Sequence, residues 1–374
     1  MTNTHSPGAQ TVTTAATAAA SLHREFTSTL IDLASARLGG ETLACSDDFF
    51  APMENLIKPG RGVFIEDKYT DRGKWMDGWE SRRRFGRINR QDSERDHDWC
   101  LLRLGVAGAI RGLDVDTNHF RGNAPQSVSV QACHCTQALN ASAQWQATTL
   151  KDSAKWIDIL PQRPVAAHSQ NLFRIVGETI QAQTWTHLRL NIFPDGGVAR
   201  LRVYGDPKPD WSRFLPGEPI DLAAIANGGR ALLCSDMFYS DKNNLLMPGR
   251  GVNMGDGWET RRRRDQGNDW VIVKLACAGR IGRVLIDTHH FKGNFPDRFS
   301  LEGTVSDSDD FNAYNGSWET IIPPTPLAAH REHLFIEEVV CPPQRVYTHV
   351  RLNIFPDGGV SRLRIFGYPR EAAQ

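Results

Sequence analysis

The chain has 374 residues, and its 43 basic residues balance 43 acidic ones to a formal charge of zero. With no long-range field to hold a phosphate backbone or an anionic bilayer, neither nucleic acid nor membrane is expected as a partner. No run of 18 apolar residues occurs, and seven cysteines, an odd number, argue against a disulfide framework and for the cytoplasm.

The first twenty-odd residues are Thr- and Ala-rich, with neither a basic start nor a clean apolar stretch. No secretory signal is expected there, and residues 1–24 read as a disordered tail. Beyond them the chain is written twice. Ile31-Asp-Leu-Ala34 returns as Ile220-Asp-Leu-Ala223, and Cys45-Ser-Asp47 as Cys234-Ser-Asp236. Asp77-Gly-Trp-Glu80 with Arg82-Arg-Arg84 returns as Asp256-Gly-Trp-Glu259 with Arg261-Arg-Arg263. Asp116-Thr117, His119-Phe120 and Gly122-Asn123 return as Asp287-Thr288, His290-Phe291 and Gly293-Asn294. Leu188-Arg-Leu-Asn-Ile-Phe-Pro-Asp-Gly-Gly197 returns almost letter for letter as residues 350–359.

The offset between copies falls from 189 at Cys45 to 162 at Leu188, so the first copy carries 27 extra residues. They fall at 66–75, 85–97 and between Pro125 and His168. A repeat of this length is too long for a solenoid unit and suits a domain with its own core. Two domains are therefore expected: 25–206 and 220–374, joined by a Pro-rich linker over 207–219.

Short segments rich in apolar and β-branched residues, punctuated by Gly, Pro, Asn and Asp, predict strands over 99–106, 110–116, 127–135, 185–193 and 198–204. The fold class is all-β, one sandwich per copy. In 186–193 the apolar Leu188, Leu190 and Ile192 share one face and His187, Arg189 and Asn191 the other. The turn residues Pro194-Asp-Gly-Gly197 then predict a hairpin with 200–204. Cys133-His134-Cys135 has the letters of a metal cluster, but consecutive strand residues point to opposite faces, and the second copy has Thr304-Val305-Ser306 there. It is read as structural.

Together Asp77-Gly-Trp-Glu-Ser-Arg-Arg-Arg84, His97-Asp-Trp99, residues 114–123 and both Asn-Ile-Phe-Pro-Asp-Gly-Gly motifs resemble the allantoicase family over nearly the whole chain after the tail. The resemblance implies two jelly-roll sandwiches of the galactose-binding-like kind. It also implies allantoate amidinohydrolase activity, releasing urea and ureidoglycolate in purine and allantoin degradation.

Such a substrate is a small carboxylate with two ureido groups on one sp3 carbon. Its anion calls for guanidinium, and its departing urea for a proton. The arginine runs supply Arg82, Arg84, Arg261 and Arg263 beside Glu80 and Glu259 as substrate-binding candidates, although a run of this kind is also a common structural lattice. For proton transfer the candidates are Asp116 with His119, Asp287 with His290, and the strand residues His187 and His349. His168 and His330 gain less from their surroundings, and Asp195 and Asp357 read as turn residues. A catalytic region is expected either where the copies meet or in one copy that kept the chemistry. No compact His-x-x-x-His signature is present, so a divalent metal is left open and no cofactor is assigned. With no Gly-x-Ser-x-Gly turn, general acid/base hydrolysis is preferred to covalent catalysis. A homo-oligomer is expected. The alternative from another class is a non-catalytic carbohydrate-binding tandem, because fold alone does not decide function.

Overall fold

The computed structural model describes residues 7–84, 96–136, 141–153, 155–312 and 316–370. The chain divides into two compact units, 1–208 and 209–374, each a jelly-roll β-sandwich with the same strand order. In each unit one strand of 19 residues, Asp98–Asp116 or Asp269–Asp287, is the spine.

Strands Trp185–Phe193 and Arg200–Pro207 do not form the expected hairpin. The first pairs with the early part of the spine, ending at Ile192 opposite Asp98, and the second with its late part, starting at Arg200 opposite Asp116. The step from Ile192 to Arg200 can span at most roughly 28 Å. A straight strand of this length would place its ends roughly 60 Å apart. The spine therefore bends over on itself, with register shifts beside Trp185 and Tyr204, and Gly108 at the bend pairs with both neighbours. Two predicted strands, 99–106 and 110–116, are halves of this one. Because the turn crosses between layers, both ends of the spine lie at one rim of the sandwich. The second unit repeats the arrangement, Ile354 opposite Asp269 and Arg362 opposite Asp287.

Leu188, Leu190 and Ile192 are fully buried on the inner face, as alternation requires. The opposite face is covered as well. The third insertion of the first copy contains a helix, Ala143–Ser153, whose Leu150 packs with Trp99, Leu101 and Cys133. The N-terminal segment is helical over Pro7–Thr29, where composition had suggested no regular structure. Alanine is the strongest helix former, and the buried Phe26 anchors the helix against Tyr204 at 5.4 Å between ring centroids.

Candidate functional site

The rim is organised around a buried phenylalanine in each copy. Phe120 and Phe291 are fully buried beneath the Pro-Asp-Gly-Gly turns. A Cβ on Gly197 would lie 2.0 Å from the Phe120 ring and one on Gly359 1.9 Å from Phe291, so only glycine lets the ring seat. Around this anchor stand the repeated polar motifs. Asp77 accepts from Arg200 Nη2 at 2.7 Å and Asp256 from Arg362 Nη2 at 3.0 Å, while Trp79 Nε1 donates to the Asp47 carbonyl at 2.9 Å.

The arginine runs are engaged with carboxylates of their own chain. Arg82 Nε donates to Asp47 at 2.7 Å, and Arg84 lies 3.3 Å from the fully buried Asp98. Arg261 pairs with Asp236 at 2.9 Å, and Arg263 bridges Asp265 and Asp269 at 2.9 and 2.7 Å. Glu80 and Glu259 each accept from an asparagine, Asn123 at 2.7 Å and Asn294 at 2.5 Å, and burial pushes the Glu80 carboxyl up. Asp195, at 2 % exposure, holds Arg83 at 3.0 Å and the Arg84 amide at 2.6 Å, a bracing role that extends the turn reading.

Asp116 and Asp287 close the spine. Asp116 is chelated by Arg61 through Nε and Nη2 at 3.1 and 3.2 Å and also accepts the Asn118 amide at 2.9 Å. Asp287 accepts the His289 amide at 2.9 Å, while Arg250 divides itself between Asp287 at 3.4 Å and Glu332 at 3.3 Å. Both arginines are half-exposed, so each presents a guanidinium face to solvent. Sequence reasoning missed them, yet Pro59-Gly-Arg-Gly-Val63 and Pro248-Gly-Arg-Gly-Val252 are a repeated motif that could have found them.

Four residues other than glycine have positive φ among the described residues: His119 (70°), His168 (52°), His290 (71°) and His330 (54°). All are histidines, two per copy at matching positions. Left-handed backbone is uncommon for a side chain of this size and costs of order 1–3 kcal/mol each, a cost typically retained where a site requires it. The loops that carry them are stitched together. His119 N–H donates to His168 Nδ1 at 2.9 Å, His168 N–H to the Phe120 carbonyl at 3.1 Å, and Thr117 Oγ1 to the Ala166 carbonyl at 2.7 Å. In the second copy the same three bonds run from His290 to His330 at 2.9 Å, from His330 to Phe291 at 3.0 Å and from Thr288 to Ala328 at 2.7 Å. Thus His168 and His330, set aside on sequence grounds, share a site with His119 and His290. They had been visible only as a histidine repeated after Ala-Ala.

His187 and His349 lie elsewhere. His187 pairs with Arg103, partway from the rim toward the bend, and is fully buried between Thr186 Oγ1 at 2.8 Å and Gln146 Oε1 at 3.1 Å. Burial, with the Arg103 charge, lowers its pKa to about 4. His349 sits likewise between Thr348 and Asp309 at 2.9 and 3.2 Å, and burial lowers its pKa too. The structure does not bring either ring to the histidine loops.

His289, His290 and His330 offer ring nitrogens within 4.8 Å of one another, a geometry that invites a metal ion. The hydrogen bonds oppose a three-histidine cage. His330 Nδ1 is occupied by a backbone N–H, so a neutral ring carries its proton on Nε2, and ligation there would require imidazolate or rupture of the loop bond. The first copy has Asn118 in place of His289.

The fold is that of a tandem jelly-roll protein, each sandwich carrying at one rim two histidines with left-handed backbone and a half-exposed arginine. The allantoicase repeat model matches residues 31–208 and 220–370, and the chain belongs to the allantoicase family. It is 46% identical over 344 residues to a probable allantoicase of Photobacterium profundum, covering 91% of this chain and 97% of that one. It is 45% identical to the allantoicase of Dictyostelium discoideum over 91% of this chain and 87% of that one. The crystal structure of Saccharomyces cerevisiae allantoicase superposes with a TM-score of 0.73 at 33% identity, covering 92% of this chain and 97% of that one.

Proposed function

We propose that this chain is an allantoicase: it hydrolyses allantoate to ureidoglycolate and urea by general acid/base chemistry at the histidine loops. In the net reaction one C–N bond of the central carbon breaks, a C–O bond to water forms, and a water proton leaves with the urea nitrogen. The nitrogen of urea is a poor leaving group unless protonated, so a donor must face it, and a base must take the proton from water. In this reading His119 and His290 take the second task. Arg61 and Arg250 are assigned to the substrate carboxylate, a reading supported by their half-exposed guanidinium groups, since a planar guanidinium can meet a carboxylate through two charge-assisted bonds. Asp116 and Asp287, whose oxygens are occupied by arginine and a backbone amide, orient these groups rather than exchange protons.

The observation that carries the reading is that, glycine apart, the left-handed backbone of the described residues falls on four histidines at equivalent positions of the two copies. The runs containing Arg82, Arg84, Arg261 and Arg263 support the rim as braces, as do Glu80 and Glu259 through their asparagines. A carbohydrate-binding module is not favoured, because the relatives at 45–46% identity over nine-tenths of the chain are allantoicases. Seven free thiols support a cytoplasmic location. A homo-oligomer is part of the proposal, supported by the exposed Phe238–Tyr239 pair, and sedimentation velocity tests it. No helix among the described residues is long and apolar enough to cross a membrane. Incubation of purified protein with allantoate, followed by enzymatic measurement of urea, tests the activity. Saturable release supports it; no urea with or without added divalent ions overturns it.

A further inference from the structure

Resting on that reading, we propose that His168 and His330 are catalytic hydrogen-bond donors, fixed as neutral Nε2–H imidazoles by the backbone amide of the histidine they face. A backbone N–H can only donate, so the nitrogen that receives it must be unprotonated. In both copies that nitrogen is Nδ1, at 2.9 Å from the amide of His119 or His290. Neutral imidazole has one proton, which must then sit on Nε2. A second proton would have to enter between Nδ1 and the opposing amide hydrogen, so the ring is held neutral as well as oriented.

The amide cannot turn away, because both loops are closed by the reciprocal bonds from His168 to Phe120 and from His330 to Phe291. Positive φ at His119 and His290, and again at His168 and His330, is the backbone shape that aims amide and ring at each other. In the first copy Arg121 Nη2 lies 3.3 Å from His168 Nε2, which sets donor against donor. Arg121 is exposed and on a long side chain, and Lys292 takes its place in the second copy, so the backbone bond decides the tautomer. The first-copy ring also lies near Arg121, His119 and Arg61, whose charges, after desolvation, lower its pKa.

A neutral N–H donor suits a ureido oxygen or nitrogen on which negative charge accumulates as the C–N bond breaks. It stabilises that charge without releasing a proton first, as neutral imidazole can when its environment keeps it uncharged. The partner histidine is arranged oppositely. His290 Nε2 donates to the Gly251 carbonyl at 3.0 Å, which leaves its Nδ1 lone pair as the base. One loop pair thus carries an acceptor nitrogen on His290 and a donor nitrogen on His330.

Two substitutions separate the chemistry from the scaffold. In His330→Asn the side-chain oxygen can replace Nδ1 as acceptor, and asparagine tolerates the 54° φ, but nothing stands at the Nε2 position. In His330→Gln an amide reaches the Nε2 position but the lock is lost. The proposal expects His330→Asn to melt like the parent and to lose roughly a hundredfold in kcat, the effect of removing one preorganised donor. His330→Gln should melt lower and retain more activity than Asn. Nitrogen-15 NMR of imidazole-labelled protein should show Nδ1 bare and Nε2 protonated for His168 and His330 from pH 6 to 9, unchanged by stoichiometric zinc. A folded His330→Asn variant with parental kcat, or a proton on Nδ1, overturns the inference while leaving the urea assay intact. Wild-type protein that releases no urea overturns the functional reading instead, and the NMR result then stands alone.

Discussion

At the end of the spine the first copy has Asp114, Asp116, Asn118 and Gln170 where the second has Leu285, Asp287, His289 and Glu332. The shared aspartate therefore meets different company. Asp116 keeps Arg61 to itself in a two-point chelate, whereas Asp287 shares Arg250 with Glu332. The histidines diverge in the same way. His119 rests against Phe64 at 5.5 Å between centroids, an apolar stack, whereas His290 is held by the Gly251 carbonyl and lies 4.1 Å from His289. Duplication has kept the bond between the histidine loops in both copies and varied the side chains around it, which separates the shared scaffold from what differs between the copies.

The largest expected effect breaks this comparison at the base. Because the His290 ring is hydrogen-bonded into one orientation, whereas the His119 ring has ring contacts with Phe64 and His168, His290→Ala should lower kcat for urea release by about 10² or more, the usual worth of a placed acid or base. His119→Ala should cost less. Equal losses in two folded variants would show that the copies do not divide the work.

The next effect tests what they share. Phe120 and Phe291 are fully buried under equivalent turns, so Phe120→Ala and Phe291→Ala should each cost about 3–5 kcal/mol in unfolding free energy of the unit that carries the change. Urea denaturation measures it. A clearly smaller cost in one copy would mean that its loop rests on other contacts.

Much of this was legible beforehand, for identifiable reasons. The duplication, the strands and the family motifs are local strings, and the inner-face alternation of Leu188, Leu190 and Ile192 reads directly from spacing. The crossing turn was read as a hairpin because turn residues announce a reversal but not the partner, and here the partner is a bent spine almost a hundred residues earlier. Arginine runs look like anion sites in one dimension, yet apart from Asp265 and Asp269, two and six residues from Arg263, their carboxylate partners Asp47, Asp98, Asp195 and Asp236 lie 35, 14, 112 and 25 residues away. His187 seemed to belong with the other histidines because its face is polar by alternation; the inserted helix that buries it under Gln146 is a tertiary event. The pairing of His168 with the His119 loop is not legible in the sequence, because neither φ nor a backbone donor from another loop is written there.

The smallest effect sharpens the contrast at Asp114. Its carboxyl is almost completely buried, accepts Gln170 Nε2 at 2.8 Å, and has its other oxygen without a partner among the described residues. Desolvation, reinforced by Asp116 and offset by the Gln170 bond and the Arg202 and Arg61 charges, raises its pKa to about 7. In the unfolded chain it ionises near 4. Between these values the folded state holds a proton that the unfolded state has released, so stability falls as pH rises through this window and the full cost is reached above pH 7. A shift of about three units corresponds to at most roughly 4 kcal/mol. Asp114→Asn keeps an acceptor for Gln170 and removes the ionisation. It should melt modestly above the parent at pH 5, where only the first part of the window has been crossed, and further above it at pH 8.5, with the second unit, where Leu285 holds this position, unchanged. Parallel pH profiles for parent and variant would show that Asp114 is ionised without penalty, and that the exchange of Asp114 for Leu285 between the copies is electrostatically silent.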